Sequence, residues 1–142
     1  VIIGISLVLS YSMFQLNWLC FDSQMTYLDL WQEANQIFEV FHMDGRAAKE
    51  GIVSGDQKSV QFVFHDNSIV EYKFDPGNTL SVTRLGQSRV FANIDSSNSS
   101  FESMGDNYSV QIVLALTGSD AGAGLERGQY LEVSSEVCFR NY

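Results

Sequence analysis

From Val1 to Phe21 (VIIGISLVLSYSMFQLNWLCF) the chain carries no charged residue, and Val, Ile and Leu dominate it. An uncharged run of 21 residues is long enough to cross most of a bilayer as a helix. Ser6, Ser10 and Ser12 weaken the apolar character, but small hydroxyls can bond back to helix carbonyls. Gln15, Asn17 and Trp18 stand near one end, where lipid headgroups begin. A retained membrane helix over residues 1–21 is the expectation. A cleaved signal fits less well, because the run leads into Asp22-Ser-Gln-Met-Thr-Tyr27 with no small-x-small cleavage pattern.

Beyond Phe21 the apolar residues keep helical spacing. Phe21, Met25, Leu28, Trp31 with Ala34, Ile37, Phe38 and Phe41 form one stripe, and Asp22, Gln24, Asp29, Gln32, Glu33, Gln36 and Glu39 fall mostly off it. The helix is therefore predicted to be apolar in its first half and amphipathic in its second. Asp44-Gly45 is its first plausible break, and Arg46 to Glu50 could continue it to a cap at Gly51. After Gly51 the period shortens. Ser59 to His65 and Ile69 to Phe74 alternate around Asp66-Asn67-Ser68 as a hairpin, and Asp75-Pro76-Gly77-Asn78 is a strong turn. Strands are predicted over 79–85 and 89–94, followed by a polar loop over 95–107. A long strand over 108–117, a second loop over 118–128 and a last strand over 129–139 complete the chain. The expected fold class is α+β: a long N-terminal helix packed on one antiparallel sheet of about six strands. Residues 1–21 would form a membrane or filament-core segment and 22–142 one globular domain, with an amphipathic helix over 22–50 and strands over 58–142. Trp31, Phe38 and Phe41 are expected to pack against Phe62, Phe64, Tyr72, Ile112 and Leu114.

Charge and composition narrow the chemistry. Eight Lys and Arg against 17 Asp and Glu leave a net charge of −9, which repels phosphate backbones and argues against direct nucleic-acid binding. Two His residues, His42 and His65, lack partners at metal-ligand spacing. Gly86-Gln-Ser-Arg-Val lacks the second Gly of a nucleophile elbow, and Gly122-Ala-Gly124 is neither a P-loop nor a dinucleotide fingerprint. No catalytic residue and no cofactor are assigned, and the chain reads as a non-enzyme. Asp95, Glu102 and Asp106, with Asp120 beyond them, stand in or beside oxygen-rich loops that suit calcium, yet their spacing matches no EF-hand; a solvated acidic loop is the favoured reading. Cys20 and Cys138 leave two readings open. They form a bridge if the last strand returns beside the first part of the helix, and otherwise they are buried thiols.

The opening Val-Ile-Ile-Gly-Ile5, leading a long helix into an antiparallel meander, resembles the type IV pilin-like proteins. Within them it is most similar to the minor pilins and minor pseudopilins of type II secretion, with competence and type IV pilus minor subunits close behind. The hairpin Ile69 to Phe74, Asn78-Thr-Leu80 followed by Arg84, and Val137-Cys-Phe-Arg-Asn141 extend the resemblance. It implies a single-pass protein of the bacterial inner membrane whose globular domain is periplasmic or extracellular and which is assembled into a filament or pseudopilus. It also implies other pilin-like subunits as partners through the N-terminal helix, membrane lipid before assembly, a prepilin peptidase and an assembly platform. Some pseudopilins bind calcium, which would fall to Asp95, Glu102 and Asp106. Helix-to-helix packing would use the small residues Gly4, Ser6, Ser10 and Ser12. The family's leader and early Glu match no residue present, so the first residue is expected to lie inside a mature subunit. A membrane-tethered binding or adhesion domain that does not polymerise is the alternative.

Overall fold

The computed structural model describes residues 2–118 and 130–139, and within them all side chains except those at 2–6, 19–26, 106 and 107. Helix α1 spans Ile2–Ala47, and no proline interrupts it. Its side chains are described in two stretches, 7–18 and 27–47. Only the second carries a buried stripe, formed by Leu30, Ala34, Ile37, Phe41 and Asp44. Steps of four, three, four and three residues keep these positions on one face.

Among the described residues eight strands follow, in two antiparallel sheets. The first sheet has the order β1-β2-β3-β4-β5, formed by Ala48–Val53, Ser59–Phe64, Ile69–Asp75, Thr79–Arg84 and Gln87–Phe91. The second has the order β6-β7-β8, formed by Ser100–Met104, Ser109–Thr117 and Tyr130–Cys138, with a four-residue helix α2, Gly105–Tyr108, between β6 and β7. Alternation along β3 turns Val70, Tyr72 and Phe74 inward, and β2 and β4 do the same with Val60, Phe62, Leu80 and Val82. Strand β7 is buried at most positions, as its apolar run requires of a central strand. The sheets are stitched where the chain leaves β5: Ile94 bridges to Leu116, the Asp95 amide donates to Ala115 O at 2.8 Å, and the Thr117 amide donates to Asn93 O at 2.9 Å.

The expected fold class is therefore corrected. The chain is mostly β, with two antiparallel sheets, rather than a long helix packed along a single pilin-like sheet. Two strands were missing from the expectation. Residues 48–50 leave the helix for β1, because Ala48 and Gly51 are buried once β1 pairs with β2, and this pairing outweighs their helical propensity. A Cβ at Gly51 would stand 2.4 Å from Phe139 Cζ, so the strand needs glycine there. Within the expected polar loop, Ser100–Met104 becomes β6 because Phe101 is fully buried and pairs with Ile112 of β7.

The helix stripe is also rotated from its expected setting. Leu28 and Trp31 are 54% and 38% exposed, Phe38 is half-buried, and Leu30 takes the inward place. Gly45 explains the setting, since a Cβ there would lie 2.5 Å from Val137 Cγ1 of β8. Close approach at that point fixes which face meets the sheets. Phe41 then lies at the meeting of all three layers, with ring centroids 5.1 Å from Phe62, 5.5 Å from Tyr72 and 6.1 Å from Phe101. Of the remaining expected core partners, Ile112 and Leu114 are buried, and Phe64 is half-buried against the core. The expected stripe members Phe21 and Met25, and residues 119–129 and 140–142, lie outside the described side chains or residues.

Phe41→Ala should lower stability by about 3–5 kcal/mol, as for a large aromatic lost from a closed core. Trp31→Ala should cost less than about 1 kcal/mol. Denaturant melts of the two variants would separate the observed helix setting from the expected one, which makes Trp31 a core residue.

Candidate functional site

The last turn of α1 carries a buried carboxyl group. Asp44 continues the apolar stripe at 3% exposure, so its side chain enters the interior with Phe41. The Tyr72 hydroxyl on β3 donates to Asp44 Oδ2 at 2.5 Å, and Arg84 Nη2 at the end of β4 donates to Oδ1. One residue from the helix thus holds two neighbouring strands. Burial raises the Tyr72 phenol well above the ordinary tyrosine value, and its bond to Asp44 and that residue's charge add to the effect, while Arg84 opposes it. The sequence offered a signal for this clasp: an acid standing in phase with the buried stripe needs partners. Reading Asp44-Gly45 only as a helix break concealed it.

A second polar centre organises the acidic loop. Lys58 Nζ donates to the carbonyls of Ser96, Ser97 and Ser99 at 2.7, 3.2 and 2.6 Å. Asp95 closes the same loop from the other side. Its Oδ1 accepts the Ser97 and Asn98 amides at 3.1 and 3.4 Å, and its Oδ2 accepts Asn98 Nδ2 at 2.7 Å. The Asn98 side chain holds the Asp95 carboxyl below the usual carboxylate value; burial opposes it, and the Asn98 and Ser97 amides and the Lys58 charge add to the lowering. Oxygen atoms that suggested calcium are thus turned toward an ammonium group and toward amides. Among the described residues no three His, Cys, Asp or Glu side chains converge as a metal set. Glu102 lies on β6, and the Asp106 side chain lies outside the described ones.

His42 Nε2 and Ser135 Oγ on β8 share a hydrogen bond of 2.6 Å. Burial, and then the charge of Arg46, holds the imidazole below its ordinary value. That distance suits a base and a nucleophile, yet the shallow groove that His42 lines is formed by Asn35, Phe38, Glu39, Met43, Arg46 and Ala47 of α1, and Ser135 is not in it. The pair ties the helix to β8. Cys138 is a free, exposed thiol rather than a buried one, and the Cys20 side chain lies outside the described ones.

The remaining feature is the first described stretch of α1. Leu7, Val8, Leu9, Tyr11, Met13, Phe14, Leu16 and Trp18 are each between 61% and 67% exposed. These positions go all the way round the helix, and no face of this stretch is covered. Ser12 Oγ donates to Val8 O at 2.9 Å, and Gln15 Nε2 donates to the Tyr11 hydroxyl at 3.0 Å, so two of its polar groups are satisfied within the helix. Ser10 and Ser12 stand on this exposed stretch, whereas the side chains of Gly4 and Ser6 lie outside the description. Among the described residues, no helix is long and apolar enough to cross a membrane.

Searches against family models, curated proteins and solved structures return no match for this chain.

Two predictions follow from the polar centres. A tyrosine whose folded value is raised favours the folded state fully below about pH 10 and loses that advantage as the pH rises further. Stability should therefore fall above about pH 10, by up to about 1.4 kcal/mol per pH unit for this one group. Tyr72→Phe should flatten that slope in denaturant melts run from pH 9 to 11. Lys58→Met leaves three carbonyls without their shared donor and should cost about 1–2 kcal/mol. Faster amide exchange confined to residues 95–99 and the start of β6 would mark the loss as local.

Proposed function

We propose that this chain is a non-enzymatic structural subunit of a filament, of the minor pilin or minor pseudopilin kind, serving type II secretion, a type IV pilus or competence. The observation that carries the reading is the all-round exposure of apolar side chains from Leu7 to Trp18. A helix that is apolar on every side is stable only when something apolar surrounds it. A single docking partner covers one face, whereas a bundle of like helices, or lipid, covers all of them. A helix of this composition moves from lipid to a helical bundle with little hydrophobic penalty, so one segment can serve both before and after assembly. Residence in the bacterial inner membrane as a single-pass protein, with the sheets on the periplasmic or extracellular side, belongs to this proposal. So do the other pilin-like subunits, the prepilin peptidase and the assembly platform as partners.

The two-sheet domain supports the reading through its attachment. The buried stripe, the Asp44 clasp and the His42–Ser135 bond fasten the domain to the last turns of α1. The apolar stretch lies N-terminal to this attachment, so neighbours can enclose the helix there without disturbing the fold.

Leu at Ser10 raises hydrophobicity while removing a small side chain, so Ser10→Leu should impair co-assembly and leave membrane insertion intact. Cysteine introduced at Ser10 should crosslink to the helix of another copy or of a pilin-like partner. A protein that folds and inserts but gives no helix-to-helix crosslink is instead a membrane-tethered binding domain.

A further inference from the structure

We draw no further inference here: the strongest candidate, the exposed edge of β5 beside the shallow groove that Asp29, Gln32, Glu33 and Gln36 of α1 form with Arg89 and Phe91, carries nothing, because nothing in the structure shows what covers it.

Discussion

Asp44 enters the interior at the C-terminal end of α1, where the free carbonyls of a helix already present negative potential. A carboxyl group is poorly placed there unless donors come to it, and the two that do are carried by β3 and β4. Satisfying this one group therefore fixes the register of the helix end against the first sheet. The setting of Phe41 one turn earlier follows, and with it the contacts to Phe62, Tyr72 and Phe101 that bring the second sheet in. On the other flank Gly45 admits Val137, and His42 bonds Ser135, so β8 is held by the same two turns. Removing one buried partner leaves the others desolvated and unpaired, which costs more than the pair itself contributes.

Much of the fold was legible because period and turn chemistry are local. The hairpins around Asp66-Asn67 and Pro76-Gly77, the strands on either side of them and the long β7 follow from alternation and from residues suited to positive φ. What was not legible depends on pairing at a distance. Ala48 to Val53 has no strand pattern of its own, and it becomes a strand because β2 offers an edge and Phe139 requires Gly51 beneath it. Ser100 to Met104 looked like loop because Phe101 is its one large apolar residue facing inward. The helix phase was misread by a single step. Counting Leu28 and Trp31 as core ignored Leu30, which lies in line with Ala34, Ile37 and Phe41.

The acidic loop shows why a list of oxygen ligands is a weak guide to a site. A solvated acidic loop is the favoured sequence reading of residues 95–107, with calcium at Asp95, Glu102 and Asp106 behind it, and the groups between 95 and 99 satisfy one another locally. Ser99 Oγ donates to Asp95 O at 2.7 Å and accepts the Ala115 amide at 2.9 Å, which ties the loop to β7. Lys58 lies some forty residues away in sequence, and no spacing rule would have paired it with these carbonyls. Its ammonium gathers the Ser96, Ser97 and Ser99 carbonyls, and the loop becomes the joint between the two sheets.

Net charge and exposed apolar surface act together in this molecule. A protein with an uncovered apolar helix should associate without specificity, since the driving force is non-directional. A charge of −9 opposes approach in most orientations. Repulsion is locally relieved around Leu7 to Trp18, which carries no charge at all. The uncharged stretch supplies affinity but little orientation, because it is apolar on every side.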